Sequence, residues 1–390
     1  MNFYLSENVN TKQTFGYFKI TGYITVDDKT FTLNSKGKNN KNWISNIFNP
    51  KLEDGKGKSM YLKIQDGFDN IKGKKIYTTL KNSSDLLEVS FADRKNENII
   101  NNIDEKSFIK IGIDRETVTE GDKSFLVWKY NKYLTAYDAI SYLSSVMDIG
   151  NKYKITITGR AKYQVFNGEL KRNYELQSLY FLDGNEIKLD KDLNVIQTPA
   201  ECDFSLNQNV IIREGAVDLS EWKDGVATVD CLIYQKKKKD TFELIHVPMV
   251  IRALDESKKN IYEKIINKYF TVGEGTIRRI NLQCKYNSGY VAGNVTLDEL
   301  PVEALELIED GLYSREEVFK LYANKTRVDE IVIVRPVMKN INNVLTIDAS
   351  DKEYTEEDLN RALTANDNEE TIKVNSSNED IDLLKELEGL

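Results

Sequence analysis

The segment KYKITITGRAKYQVFNGELKRNYELQSLYFL, Lys152 to Leu182, constrains the fold more than any other part of the chain. Two alternating runs meet at Asn167-Gly168, and an Asn-Gly pair between such runs predicts a two-residue type I′ hairpin, whose two central residues both need positive φ. That turn sets the register: Phe166 faces Glu169, Val165 faces Leu170 and Gln164 faces Lys171. One face then carries Ile155, Ile157, Ala161, Val165, Leu170, Tyr174, Leu176 and Tyr180, which is a core. The other carries Thr156, Thr158, Arg160, Lys162, Gln164, Phe166, Lys171 and Asn173, which is not. Tyr163 and Arg172 fall on the core side near the tip, where the core has ended. Lys152 to Tyr174 holds six basic residues and one acidic.

The same period of two recurs from Gln13 to Asp114. In FGYFKITGYITVDDKTFTL, Phe18, Ile20, Ile24 and Val26 share one face while Tyr17, Lys19, Thr21, Tyr23 and Thr25 share the other. In MYLKIQ, Met60, Leu62 and Ile64 point inward, and Tyr61, Lys63 and Gln65 outward. Asn34 to Ser59 is rich in Asn, Gly and Lys and reads as a long loop, of the kind that is functional or disordered in compact domains. Further strands are expected at 86–91, 108–113, 209–213, 226–235, 241–251, 276–285 and in EIVIVRPVM. Helices are expected over LTAYDAISYLSSVMDI with Thr135 as N-cap, over KKNIYEKIINKYF, and as a pair broken at Gly311. Short strands, hairpins and single helices predict a mainly β protein with α+β additions, built as tandem OB-like small β-barrels. The expected limits are a first barrel at 13–115 with the long loop 34–59, a helical connector at 116–151, a second barrel at 152–285, and a helical pair with a strand at 286–345. That last region belongs, in an alternative division, to a third domain starting near 200.

Charge is unevenly placed. The chain of 390 residues has a net charge of −8, yet Asp348 to Leu390 alone holds 14 acidic and 4 basic residues, which leaves about +2 for the first 347. Residues 346–390 are therefore expected to form a disordered acidic tail, ending in DIDLLKELEGL, where leucines return among the acids. No run of apolar residues is long enough for a membrane helix, and MNFYLSENVNTKQ lacks a signal-peptide pattern, so the chain reads as cytoplasmic. Cys202, Cys231 and Cys284 are widely spaced and read as buried apolar residues, not as zinc ligands or disulfides. His246, the one histidine, lies in the strand-like FELIHVPMVI and reads as a core or sheet-face residue.

Cations interleaved with rings on an outward β face suit single-stranded nucleic acid, because phosphates need positive charge and unpaired bases need π-faces. Lysines on an exposed strand also discourage edge-to-edge pairing, and that reading stands beside the first. YQKKKKDTF, Tyr234 to Phe242, offers either a second phosphate contact or a solvated loop. GKGKS, Gly55 to Ser59, lacks the spacing and following helix of a phosphate-binding loop.

With this hairpin, the alternating strands of the first barrel and the terminal DIDLLKELEGL, the chain resembles the single-stranded-DNA-binding proteins of bacteria, bacteriophages and mobile elements. Those look like OB barrels followed by a disordered acidic tail. The resemblance implies DNA coating and protection in replication or recombination within a host cytoplasm, with little sequence preference. It also implies recruitment of replication or recombination proteins through tail residues Asp380, Asp382, Leu383, Leu384, Leu387 and Leu390. The candidate DNA contacts are Lys19, Lys63, Arg160, Lys162, Lys171 and Arg172 for phosphates, with Tyr17, Tyr23, Tyr61 and Phe166 for bases. Two departures stand out: the chain ends in Glu388-Gly389-Leu390 instead of the acidic-Pro-Phe ending of the bacterial proteins, and it is about twice as long as a single-barrel member.

No nucleophile elbow, HExxH, complete phosphate loop or metal-ligand cluster is present, so no cofactor, no metal and no enzymatic activity are expected. A structural or assembly component built from β-barrels and a metal-dependent nuclease remain as alternatives.

Overall fold

The computed structural model describes residues 13–364 apart from 38–39, 56, 122, 183–184, 190–194, 200, 239–240, 254–255, 293–299, 316–317 and 319–324. The chain is mainly β, as its alternation predicts. It opens with β1 (Gly16–Thr25), in which Phe18, Ile20 and Ile24 are buried and Tyr17 and Lys19 are exposed. β2 (Phe31–Lys36), β3 (Trp43–Phe48) and β6 (Ile64–Asp69) form a three-stranded sheet, with β4 (Lys51–Glu53) and β5 (Ser59–Tyr61) as a short hairpin between β3 and β6. The expected loop 34–59 thus contains β3 and β4 and the ends of β2 and β5. NWISNIF hides β3 because a polar residue interrupts its inner face: Asn46 is buried beside core residue Phe48, and its amide nitrogen donates to Tyr137 O at 2.9 Å and Ser141 Oγ at 2.8 Å. A buried polar group is tolerated when paired in this way.

β7 (Lys75–Thr79) and β8 (Leu86–Ser90) pair as a hairpin, followed by α1 (Glu97–Ile100). β9 (Ile109–Glu120) and β10 (Lys123–Tyr133) then pair along their lengths, so the expected helical connector 116–151 is strand in its first half. Its second half is α2 (Ala136–Val146), whose N-cap is Thr135 and whose buried Ala139, Ile140 and Leu143 share one face. β11 (Lys152–Phe166) and β12 (Glu169–Leu182) form the predicted hairpin, with Asn167 at φ 52° and Gly168 at φ 75° and the predicted register at the tip. A bulge opposite Thr158 and Gly159 leaves Gln177 without a partner in β11. From there on, Leu179 takes the core position and Tyr180 turns to the other face, against the sequence expectation.

After the paired β13 (Asn185–Leu189) and β14 (Val195–Pro199), a barrel closes. Its strands are β15 (Asp203–Ile212), β17 (Val226–Lys238), β18 (Thr241–Arg252), β19 (Arg278–Ala292) and β20 (Lys325–Pro336), with the two-residue β16 (Val217–Asp218) beside β17. The order around it is β15-β17-β18-β20-β19 and back to β15, parallel only between β18 and β20. α3 (Glu256–Ile265) joins its third and fourth strands, which is the OB-type arrangement. α4 (Val302–Glu309) lies between the last two, and much of the helix expected after Gly311 falls outside the described residues. The barrel therefore spans 203–336, not 152–285. The 152–182 hairpin instead pairs with β1 through β11, and with β9 through β12 at Ser178–Tyr180.

The two halves are fused through β15. Asp203–Gln208 pairs with β1, whereas further on only Ile211 pairs with β17, opposite Leu232. Where β15 changes partner the ladder is interrupted, and side chains supply the missing bonds. Thr14 N donates to Tyr234 O and Tyr234 N to Thr14 Oγ1, both at 2.8 Å. The Gln235 side chain accepts from Tyr163 N at 3.2 Å and donates to Tyr163 O. Fully buried Gln208 accepts from the Tyr163 hydroxyl at 3.2 Å. One apolar core runs across this joint from Ile20 and Ile157 to Cys231, Ile245 and Cys284; Cys202 is only half-buried.

β21 (Met338–Ile341) and β22 (Val344–Ile347) form a hairpin, after which the chain folds back over the barrel. β23 (Ala349–Ser350) pairs with β19, α5 (Glu356–Asn360) starts from a Thr355/Asp358 capping box, and β24 (Leu363–Thr364) pairs with β18. Tyr354, Leu359 and Ala362 are buried against Ile211, Leu232, Tyr234, Phe242 and Leu244 on the barrel's outer surface. Arg278 holds Asp351 at 2.7 Å, and Arg279 holds Glu353 at 2.7 Å and Asp348 at 3.0 Å. Residues 346–364, assigned to the tail by composition, are thus part of the folded body. Residues 365–390 lie outside the described residues, and the tail-tip candidates Asp380 to Leu390 with them.

Denaturant melts test the joint and the segment that folds back over the barrel. Gln235→Ala, which strips both backbone partners from Tyr163, lowers stability by about 1–3 kcal/mol. Leu359→Ala lowers it by about 2–5 kcal/mol, and truncation after Ile347 is more damaging still, whereas truncation after Thr364 leaves the midpoint in place.

Candidate nucleic-acid interface

Because β1 is paired on both edges, the polar side of the sheet continues without a break from β15 to β10. Cross-strand partners point to the same side, so the register shows which groups meet. Tyr17 lies between Arg160 and Asn207, Lys19 between Thr158 and Ser205, and Tyr23 beside Lys154. The Arg160 guanidinium is 5.4 Å from the Phe15 ring centre and 5.6 Å from that of Tyr17. Lys152 and Lys154 Nζ are 4.9 and 5.2 Å from the Tyr23 ring. Ring and cation are therefore placed together, within the range of cation–π attraction.

Two to four strand spacings from β1, about 10–19 Å, a second group stands on the same face, on β12, β9 and β10. Trp128 and Tyr180 stack with centroids 5.7 Å apart and planes at 23°, and Tyr130 meets Tyr180 edge-on at 5.9 Å. Arg115 lies 4.4 Å over Trp128 and Lys110 5.7 Å over Tyr130. Gly112 underlies these rings: a Cβ there would come within 3.2 Å of the Trp128 ring, so the missing side chain lets the rings lie against the strand. Burial, together with neighbouring Tyr180, pushes the Tyr130 hydroxyl up to about 12, which keeps it protonated and neutral. Between the two aromatic groups the floor is made of short hydroxyl side chains. Thr21 and Thr156 meet at 2.8 Å, Thr158 and Ser178 at 2.5 Å, and Ser178 donates to Tyr180 at 2.9 Å.

Of the residues singled out from sequence, Tyr17, Lys19, Tyr23 and Arg160 come together on this face. Lys162 shares it but is ion-paired with Glu175 at 2.5 Å. Phe166 and Lys171 sit at the hairpin tip, the ammonium 4.8 Å from the ring. Tyr61, Lys63 and Arg172 are elsewhere: with Lys171 they line a cleft of about 510 Å³ between the 60–63 segment, the hairpin tip and the barrel. Arg172 is mostly buried there and ion-paired with Asp329, which its core-side register explains. Trp128, Tyr130, Tyr180, Arg115, Lys110, Lys152 and Lys154 were not among the candidates. Trp128 and Tyr130 alternate correctly in FLVWKY, a signal masked by assigning 116–151 to a helical connector.

Carboxylates are present as well, Asp203 pairing with Lys285 at 3.0 Å. Among the described residues no group of three or more His, Cys, Asp or Glu is placed to hold a metal ion, and no helix is long and apolar enough to cross a membrane. His246 lies on the outer surface of the barrel with Nδ1 2.8 Å from Asp230, away from the aromatic face. The chain matches no protein-family model and no curated protein.

The hydrogen bond to Asp230 raises the His246 pKa above its ordinary 6.5. A raised folded-state pKa contributes stability that is complete below the unfolded value and is lost as pH rises through the folded one. Thermal melts are therefore expected to show the native protein losing stability relative to His246→Gln on going from pH 6 to about pH 8.

Proposed function

We propose that the protein binds single-stranded DNA with little sequence preference, coating and protecting it during replication or recombination in a cytoplasm, as proteins of bacteriophages and mobile elements do. The observation that supports this best is the pair of ring-and-cation groups, Tyr17/Tyr23 with Arg160, Lys152 and Lys154, and Trp128/Tyr130/Tyr180 with Arg115 and Lys110. Both stand on one uninterrupted sheet face across a hydroxyl-lined floor. Stacking on such rings is sequence-tolerant because every base has a π-face. The lysines and arginines supply phosphate contacts, and β1 carries Lys19 between Tyr17 and Tyr23. The acidic residues beyond Thr364, with their terminal leucines, serve in this reading to recruit replication or recombination proteins.

A second reading, a structural or protein-interaction component, draws on the β21–β22 hairpin, where Met338, Ile341, Val344 and Leu345 are all exposed. Exposed apolar groups gathered on one small hairpin are what a protein contact uses.

The first reading is tested by fluorescence anisotropy with a labelled oligo-dT of roughly thirty nucleotides, long enough to span several single-barrel sites, against a duplex of equal length and over a salt series. Tight binding to the single strand is expected, with log K falling by about 0.7 per phosphate contact for each decade of salt. Tyr17→Ala/Tyr23→Ala should lose about 1–3 kcal/mol per stacked base, and Trp128→Phe should abolish most of the fluorescence quenching that accompanies binding. Absence of binding at low salt in the chain truncated after Thr364 would move the protein to the second reading.

A further inference from the structure

The cleft beside the hairpin tip is not part of the flat face, and its chemistry differs. Three cations line it, Lys63, Lys171 and Arg172, against one carboxylate, Asp329, which Arg172 already engages. Arg172 is held from behind, its guanidinium 5.4 Å from the ring of buried Tyr286, and its side chain is only 14% exposed. Its Nη1 is buried without an acceptor among the described residues. Lys63 has no ion pair among the described residues, and Lys171 has only Glu169 at 3.6 Å. Neutral donors stand between the cations, from the side chains of Gln164 and Asn173, and Tyr61, 55% exposed, forms the rim. Fixed positive charge, amide donors and one ring around a concave volume fit a compact dianion attached to a base. A bridging phosphodiester carries one charge; a phosphomonoester carries nearly two at neutral pH.

The cleft also has a defined position relative to the face. Arg160, Lys162 and Gln164 form one row along β11, and Gln164 lies opposite Lys171. That row leads from the Tyr17 group into the cleft. From this we infer that the cleft is a site for a nucleotide phosphomonoester, with Lys63, Lys171 and the buried Arg172 on the phosphate and Tyr61 beside the base. On the single-strand reading above, on which this inference rests, the ligand is the phosphorylated end of a strand lying on the face. A free nucleotide has the same chemistry.

The test compares internally labelled oligo-dT carrying a 5′-phosphate, a 3′-phosphate or hydroxyls at both ends, on the full chain. One phosphorylated end is expected to bind about tenfold more tightly than the hydroxyl form, equivalent to ~1.4 kcal/mol. That ratio falls to one in Lys63→Ala/Lys171→Ala and in Lys63→Gln/Lys171→Gln, two changes at solvent-facing side chains that leave the melting temperature in place. Titration of dTMP, followed by broadening of its phosphorus resonance, separates the sources. Broadening that is lost in the same variants, without any end preference on oligonucleotides, assigns the cleft to free nucleotide. A ratio of one at both ends together with an unperturbed dTMP resonance overturns the site, while retained binding of the hydroxyl strand leaves the face reading intact. Failure of every oligonucleotide to bind overturns the face reading instead, and the dTMP titration then decides the cleft alone.

Discussion

The structure depends on how β15 satisfies its outer edge. A strand with unpaired backbone groups in a protein interior is unstable, and no single neighbour pairs with this edge along its whole length. Asp203–Gln208 takes β1, and beyond the crossing point Ile211 takes β17. The crossing itself is closed by Thr14, Gln208 and Gln235, whose side chains replace the ladder where neither strand reaches. Two halves that could have been separate modules are thereby one sheet over one core. Losing the Thr14 or Gln235 side chain leaves backbone groups without partners, and losing that of Gln208 strands the buried Tyr163 hydroxyl, each a heavier penalty than the bond itself contributes.

The candidate interface follows from the same joint. β1 is an interior strand only because β11 and β15 flank it, and an interior strand shows its outward side chains as part of a broad surface instead of a ribbon edge. Tyr17, Lys19 and Tyr23 thus continue into Thr158 and Ser178, and onward to Tyr180 and Trp128. Arg160 and Lys152 on this face lie over rings, which fixes their position, while Lys110, over Tyr130, is also ion-paired with Glu105 at 3.6 Å. The ion pairs Lys162–Glu175 and Lys285–Asp203 mark where the positive field is locally offset.

The acidic residues of the 348–364 segment have a different role from the one their composition implies. They bind arginines of the barrel while Tyr354 and Leu359 seal its outer surface over Tyr234 and Phe242. The patch of the barrel's outer surface around Tyr234 and Phe242 is consequently covered, and the open aromatic face of the protein belongs to the N-terminal half. The ion pairs here are partly screened, so the apolar contacts beneath them supply most of the stabilisation.

Local pattern was enough to determine the Asn167-Gly168 turn and the register at the hairpin tip, the buried faces of β1 and β11, the N-cap of α2 and the mainly β class. Each depends on residues close in sequence: positive φ at two adjacent positions, a period of two, or a threonine reaching its own helix. Tertiary structure alone decided that the hairpin pairs with β1 and not with the barrel after it, since alternation marks an apolar face without naming the strand beside it. It also decided that a bulge turns Tyr180 outward to meet Trp128. Arg172 is drawn inward because a carboxylate more than 150 residues away, Asp329, stands there to hold it, and an acidic stretch folds because Arg278, Arg279 and an apolar patch await it. Those outcomes depend on long-range partners, and a sequence read in windows contains the groups but not their meeting.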